Sequence, residues 1–232
     1  MRWFRRRRRT PAPRGAEPWG DQRDPADAAR AFWQRWYRLQ PALSAALGDR
    51  EPYRYEHELA ETVAALHPDL HFTVELGHRA LYALVISGQE DPALRPYTDA
   101  WKAAAPPEDA IWEYHDSVPP VPDPTKVTVN LGASRISLAD VRVVAQIDEA
   151  AGVVDVAVHH PEMANLEQAA RRAITFLPLD ATLGERTAAQ RLRRVETAVH
   201  EPAGTIGLLE LRELVDRLTG HRTGPDERPG DR

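Results

Sequence analysis

The part of the sequence that most constrains the fold is residues 136–161, where two alternating apolar runs flank a short polar stretch. Alternation with a period of two is typical of β-strands with one buried face. Gly152 lies in the polar stretch and tolerates a positive φ. The pattern therefore predicts a β-hairpin with residues 149–152 as its loop, in which Asp148 pairs with Val153.

The two faces of this hairpin determine its register, because a shift of one residue would exchange the faces of one strand. We expect one face to be core; its pairs are Ile147 with Val154, Ala145 with Val156 and Val143 with Val158. The other face contains the pairs Gln146 with Asp155, Val144 with Ala157 and Arg142 with His159. The shifted register would place Ala145 opposite Asp155, so we disfavour it.

The polar face of the hairpin is the candidate functional surface, with Arg142, Asp155 and His159 as its binding residues. An aspartate and a histidine on one strand face can orient a general base. In an alternative interpretation, His159, His160 and Glu162 supply ligand types that a divalent metal accepts. The structural alternative is a strand end that runs into a proline turn.

Most familiar catalytic chemistry has no support in the sequence. The chain has no cysteine, which excludes disulfides, thiolate metal sites and cysteine nucleophiles. It has no G-x-S-x-G motif, no H-E-x-x-H pair and no glycine-rich phosphate loop, so we predict no catalytic residue and no cofactor. His57 and Glu61 lie one helical turn apart. This pair is either half a metal site or a solvated pair on the helix surface. Ser117 follows His115, but a nucleophilic serine would need a partner that the sequence does not locate.

The first 14 residues contain seven arginines and no acid, which leaves 23 basic and 35 acidic residues, a net charge of −12, for the rest. An arginine run with proline and glycine and no apolar period predicts disorder for residues 1–23. Residues 2–14 can attach to an anionic surface, either lipid or nucleic acid. The residues expected to make this contact are Trp3, Phe4, Arg5, Arg6, Arg7, Arg8 and Arg9. The alternative is a solvated tail with no fixed partner.

Charge and hydropathy also bear on location. The acidic body argues against a folded domain that binds nucleic acid. No apolar run reaches the ~18–20 residues that span a bilayer, and the arginine run lacks the apolar segment of a secretory signal. We therefore expect a cytoplasmic protein with no transmembrane segment. The two lysines, Lys102 and Lys126, among abundant alanine, arginine and proline are typical of a GC-rich bacterial genome.

Residues 24–118 are predicted to form N-terminal helices followed by a first β-β-α-β unit. Asp24 and Pro25 are typical of a helix start, and a separate short helix is predicted for residues 41–47. An aromatic stripe at helical spacing favours core packing, with a ligand groove as the alternative; it consists of Ala29, Phe32, Trp33, Trp36 and Tyr37. The predicted elements that follow are a helix at 55–66, strands at 70–76 and 80–86, a helix from 91 and a strand at 111–115.

Residues 119–125 are predicted to be a proline-rich linker, residues 126–220 a second β-β-α-β unit with a C-terminal helix, and residues 221–232 a disordered tail. Asn165 and Gln168 occupy capping-box positions for a helix that ends near Gly184. The predicted fold class is α+β, with two β-β-α-β half-units that have antiparallel sheets.

Four short segments resemble a family of uncharacterised bacterial proteins that share a domain of unknown function. They are the tryptophan-rich segment 32–37, the apolar strand 84–88 after residues 67–70, Ala105-Pro106 followed by Trp112, and segment 179–185. The resemblance covers roughly residues 30–200. It implies two α+β halves and no catalytic residue.

The sequence favours a non-enzymatic binding or accessory protein that engages a protein partner through its acidic body. One alternative is a small metal-dependent hydrolase that uses the region of His159 and His160. Another is a protein tethered to a membrane surface through the arginine arm. The sequence identifies no particular partner and no oligomeric state.

Overall fold

The structure is a computed structural model that describes residues 24–89, 91–131 and 134–220. Its helices and small sheets confirm the α+β class. The chain divides into two compact units, Met1–Val118 and Pro119–Arg232. The disorder predicted for residues 1–23 and 221–232 concerns residues outside the described part of the chain.

The first unit begins with two helices, α1 (Pro25–Gly48) and α2 (Glu56–Leu66), joined by a 3-10 turn at Pro52–Tyr55. The Asp24 side chain accepts a hydrogen bond from the Ala26 N–H at 2.8 Å, which confirms the predicted cap. The separate helix predicted for 41–47 is wrong, because α1 continues through Pro41. A proline removes one hydrogen bond to the carbonyl four residues earlier, and here that residue is the exposed Tyr37.

The first unit's sheet has the order β1-β2-β3, with strands His71–Leu76, Tyr82–Ser87 and Trp112–His115. Strands β1 and β2 are antiparallel, whereas β3 is parallel to β2. Helix α3 (Arg95–Ala103) lies between β2 and β3 in the chain. The predicted all-antiparallel sheet is therefore wrong here, because a crossover through a helix returns the chain in the same direction.

The core of the first unit confirms that the aromatic stripe is buried, with the exception of Tyr37, which is 58% exposed. The Trp36 ring lies edge-on to Trp112 with centroids 4.9 Å apart, and Trp33 stacks on Trp101 at 5.1 Å. The Trp33 indole donates to the Trp101 carbonyl, and the Trp112 indole donates to the Ser44 hydroxyl. Aromatic pairs of this kind add stability beyond their buried area.

The second unit begins with a 3-10 turn at Pro124–Lys126 and a small hairpin of β4 (Thr128–Leu131) and β5 (Ser134–Ser137). After a 3-10 turn at Leu138–Asp140 comes the predicted hairpin of β6 (Arg142–Asp148) and β7 (Val153–His159). Its register is confirmed pair by pair, and Gly152 has a φ of 68°. Ile147 is an exception to the predicted core, since its side chain is 45% exposed beside the turn.

The rest of the second unit contains a 3-10 turn at Pro161–Asn165, α4 (Gln168–Leu183), α5 (Glu185–Arg191), β8 (Leu192–Ala198) and α6 (Leu208–Gly220). The sheet order is β6-β7-β8, and β8 is parallel to β7, which again corrects the antiparallel prediction. The capping role predicted for Asn165 is wrong, because its amide donates to Glu162 and α4 starts without a side-chain cap. The predicted end at Gly184 is confirmed.

The core of the second unit forms on the apolar face of the hairpin. Val143, Val154, Val156 and Val158 pack with residues of α4, α5 and α6. A smaller cluster of Ile136, Met163, Leu166 and Ile174 packs separately.

Candidate functional site

The structure gives Asp155 a partner that the sequence did not indicate. Arg193 on β8 donates to both Asp155 oxygens at 3.0 and 2.7 Å and to Asp148 at 2.9 Å. The hydrogen bonds from Arg193 lower the pKa of Asp155, and those to Asp155 raise the pKa of Arg193. The register between β7 and β8 is irregular at Val154 and Asp155, and such irregularities redirect side chains.

The structure does not bring Asp155 together with the other two predicted binding residues. His159 lies on the same strand face, but four residues of strand separate the two positions by about 13 Å. The His159 Nδ1 lies 3.0 Å from the Ala198 carbonyl and the side chain is buried. The Arg142 guanidinium donates to the backbone carbonyls of Ala139 and Val141. Each of the three side chains therefore has a separate local environment.

The described residues of the alternative metal site do not form a metal-binding group. His160 is buried, and its Nδ1 accepts a hydrogen bond from the Glu162 N–H at 3.1 Å, while its Nε2 has no hydrogen-bond partner. Burial lowers the pKa of His160, although the Ser137 carbonyl, Asp140 and Glu162 act in the opposite direction. Within residues 24–89, 91–131 and 134–220, no three His, Cys, Asp or Glu side chains form a group that could hold a metal ion. The metal interpretation gains no support from this geometry.

The remaining predicted features are the His57 and Glu61 pair and the contact residues of the N-terminal arm. His57 and Glu61 form an exposed ion pair at 3.2 Å on α2, the solvated alternative. The predicted contact residues of the arm, numbers 3–9, lie outside the described part of the chain.

The most strongly perturbed carboxylate is one that the sequence did not single out, Glu113 on β3. Its side chain is 1% exposed. Its oxygens accept hydrogen bonds from the backbone N–H groups of His78 and Arg79 at 2.8 Å and of Ala80 at 3.1 Å. These residues belong to the loop 77–81 between β1 and β2, which we call the anchored loop. Consecutive N–H groups directed at one anion form a typical backbone nest.

The electrostatics of Glu113 follow from these contacts. Burial by itself would raise the pKa of Glu113, but the hydrogen bonds from His78, the His115 ring, Arg79 and Ala80 outweigh it and lower the pKa to about 2. The His115 Nε2 lies 3.1 Å from the carboxylate. Glu113 is therefore ionised at neutral pH and holds the anchored loop in one conformation.

Gly77 is required for this arrangement. A Cβ at position 77 would meet the Ala80 carbonyl oxygen at 2.5 Å and the Glu113 carboxyl carbon at 3.1 Å. The Gly77 N–H donates to the Leu81 carbonyl and closes the loop. A close backbone approach of this kind is a frequent reason for glycine in a turn.

The cations next to the anchored loop are neutralised by acidic partners. Glu108 accepts from Arg79 at 2.6 Å and from Lys102 at 3.0 Å, and the Glu113 carboxylate, 3.8 Å from Arg79, balances the second positive charge. Asp109 accepts from the backbone N–H groups of Ile111 and Trp112, and among the described residues it has no cationic partner. The unbalanced charge at this end of the sheet is therefore negative.

Three large apolar side chains are exposed around the anchored loop: Leu76 is 49%, Leu81 54% and Ile111 46% accessible. Their backbone positions are neighbours at this end of the sheet, because Leu76 is the residue opposite Tyr82 and the Tyr82 N–H donates to the Ile111 carbonyl. We call these three residues the apolar rim. An exposed apolar group on a fixed, charged loop is typical of an interaction surface.

An open cleft of about 420 Å³ lies between α1 and α2. It is lined by Arg35, Arg38, Leu39, Glu58, Glu61 and Thr62. Its basic and acidic side chains oppose each other, so it favours no ligand class as clearly as the apolar rim does.

No family model, curated protein or solved structure matched the chain. The resemblance to a bacterial family therefore stays a prediction. In the described ranges, no helix combines the length and apolar character needed to cross a membrane.

Proposed function

We propose that the protein is a non-enzymatic cytoplasmic binding protein that engages a protein partner through the apolar rim. The observation that carries the proposal is the exposure of Leu76, Leu81 and Ile111 around a loop fixed by the buried Glu113 carboxylate. A surface that is already ordered loses little conformational entropy on binding. Leucine and isoleucine side chains can then contribute buried apolar area at a low ordering cost.

Charge supports a basic partner. Residues 24–118 contain sixteen acidic residues and eight lysines and arginines, a net charge of −8. The cations nearest the apolar rim, Arg79 and Lys102, are already paired with Glu108. Complementary charge speeds association and disfavours acidic competitors. The proposed partner segment therefore combines basic residues with apolar or aromatic ones.

Selection from random peptides displayed on phage, with the full chain as bait, tests this proposal. We expect enriched peptides that combine arginine or lysine with aromatic residues and that lose at least tenfold in affinity for Leu81→Ser. Leu209→Ser is the matched control, since Leu209 is an exposed leucine of the second unit at 43% accessibility. No enrichment, or enriched peptides that bind Leu81→Ser unchanged, would contradict the proposal.

We also propose that the two units are structural repeats, each a β-β-α-β half-unit. The proposal is supported by the shared strand order, an antiparallel hairpin followed by a parallel third strand. An experimental structure tests it by superposition of β1-β2-β3 on β6-β7-β8. If the strands do not superpose with the same connections, the proposal that the two units are repeats is contradicted.

A further inference from the structure

We propose that residues 1–9 of this chain dock on the apolar rim of their own first unit and occupy it until a partner displaces them. The inference rests on the proposed function, because it names a tethered occupant for the same surface. Residues 1–9 combine Met1, Trp3 and Phe4 with six arginines. This is the basic and aromatic composition that we propose for the partner segment of the rim.

Charge complementarity is the first argument. Residues 1–23 contain eight arginines and two acids, a net charge of +6, against −8 for residues 24–118. Next to the rim, Asp109 has no cationic partner among the described residues, whereas Arg79 and Lys102 are both paired with Glu108. An arginine near Asp109 would therefore find an unneutralised carboxylate. Such contacts between exposed charges weaken with salt.

The length of the arm is the second argument. The Trp112 indole donates to Ser44 at 2.9 Å, so the start of β3, next to Ile111, lies beside the C-terminal half of α1. The distance along α1 from Pro25 to Ser44 is about 30 Å at 1.5 Å per residue. Residues 10–23 span up to about 46 Å when extended. The arm is therefore long enough to place residues 1–9 on the rim.

Tethering makes even a weak contact effective. A linker of this length gives the attached segment an effective concentration near the millimolar range. A segment with modest affinity would then occupy the rim for much of the time in the intact chain. A free partner must compete with this segment, so the arm raises the partner concentration that is needed for binding.

A spin label on the full chain tests the docking directly. The chain has no cysteine, so Thr10→Cys carries one nitroxide beside the arginine run. At low salt we expect broadened amide NMR signals for residues 76–81 and 110–111, relative to a diamagnetic label. We expect the broadening to disappear at about 0.5 M salt and in Leu81→Ser, and to persist in Leu209→Ser. Absent broadening, or broadening that survives Leu81→Ser, overturns the proposal.

Binding to anionic vesicles decides between docking and membrane attachment. If the rim holds the arm, Leu81→Ser releases it, and we expect the full-length variant to bind phosphatidylserine vesicles at least about threefold more tightly than the unaltered chain, because polybasic segments bind such surfaces. Leu209→Ser should bind like the unaltered chain. Equal binding by Leu81→Ser and the unaltered chain shows that the arm is already free and overturns the proposal.

A full-length variant with Arg5 to Arg9 replaced by serine separates this proposal from the proposed function. We expect Leu81-dependent peptides to bind this variant at least threefold more tightly than the unaltered chain, because the competing segment is lost. If such peptides bind both chains equally, docking of the arm fails while partner binding at the rim stands. If no Leu81-dependent peptide is found for either chain, the proposed function fails as well.

Discussion

In each three-stranded sheet, the second residue of the third strand forms hydrogen bonds with the first two strands or with the loop between them, and the two residues have opposite charge. In the first unit, Glu113, the second residue of β3, accepts hydrogen bonds from the loop between β1 and β2. In the second unit, Arg193, the second residue of β8, donates to Asp148 at the end of β6 and to Asp155 on β7. Glu113 is 1% exposed, whereas the Arg193 side chain is 52% exposed.

The comparison leads us to expect that burial, rather than the sign of the charge, decides how much such a contact contributes to stability. A buried carboxylate that accepts three backbone N–H groups cannot be replaced by water, so its loss leaves unsatisfied groups. An exposed arginine and its carboxylates are hydrated in any case, and salt screens them. We therefore expect the same position to be critical in the first unit and nearly neutral in the second.

The largest effect is expected for Glu113→Gln. The full pKa shift, from 4.5 to about 2, corresponds to about 3 kcal/mol. We expect a loss of about 2 kcal/mol in the free energy of unfolding at pH 7, because the amide oxygen of glutamine can still accept some of these hydrogen bonds. Urea unfolding measures it, with the exposed Glu196→Gln as the control. A loss no larger than that of the control would contradict a structural role for the carboxylate.

Gly77→Ala tests the same loop from its other side. The added Cβ would meet the Ala80 carbonyl oxygen at 2.5 Å, so the loop must move away from Glu113. We expect a destabilisation of about 1–2 kcal/mol by urea unfolding. Gly48→Ala is the matched control, because a Cβ there meets nothing within 4 Å. Equal stability of the two variants would show that the loop adapts freely.

Acid should destabilise the two units at different pH values. Glu113 has a pKa below its ordinary 4.5, so its contribution to stability is complete above pH 4.5 and is lost as the pH falls toward 2. His160 has a pKa below its ordinary 6.5, so its contribution is complete above pH 6.5 and is lost as the pH falls below that value. Protonation also removes the Nδ1 acceptor for the Glu162 N–H. We therefore expect the second unit to lose stability at a higher pH than the first.

The variant His160→Asn checks the assignment, because an asparagine oxygen can accept the same hydrogen bond without titrating. Thermal unfolding between pH 7 and pH 5 should show a smaller loss of stability for His160→Asn than for the unaltered chain. His57→Asn, at an exposed position on α2, should behave like the unaltered chain. An unchanged pH dependence in His160→Asn would remove His160 as the cause.

The smallest effect is expected for Arg193→Gln. Its ion pairs with Asp148 and Asp155 are exposed, so we expect a slight loss of stability at low salt and none at about 0.5 M salt. Urea unfolding at the two salt concentrations measures it. A loss as large as that of Glu113→Gln would contradict the expectation that the buried contact contributes more to stability than the exposed ion pairs.

The hairpin of β6 and β7 shows what local sequence can predict. Alternation and one suitably placed glycine were enough for the full register, because both signals lie within 20 residues. The same pattern failed for Ile147, which alternation assigns to the core although it lies at the strand end, beside the turn. Periodicity predicts the face of the strand on which a residue lies. It does not predict how far along the strand that face is covered by other elements.

The candidate site could not be predicted, because its contacts are distant in sequence. Glu113 lies between Trp112 and Tyr114, where alternation places it on the face opposite the aromatic core and suggests solvent. It is buried because the N–H groups of residues 78–80, more than thirty positions earlier, converge on it. Likewise, the hydrogen bond between Arg193 and Asp155 joins residues that are 38 positions apart. The one local signal of the anchored loop in the sequence is Gly77, which precedes the polar residues His78 and Arg79.

The long sequence separation in the anchored loop has a kinetic consequence. The amide hydrogens of His78, Arg79 and Ala80 lie in a connection between strands, where exchange with solvent is normally fast. Here they bond to a side chain on β3. During folding they gain protection only after α3 has formed its crossover and β3 has paired with β2. In pulse-labelled hydrogen exchange, these three amides should therefore become protected together with β3 and later than the β1-β2 hairpin.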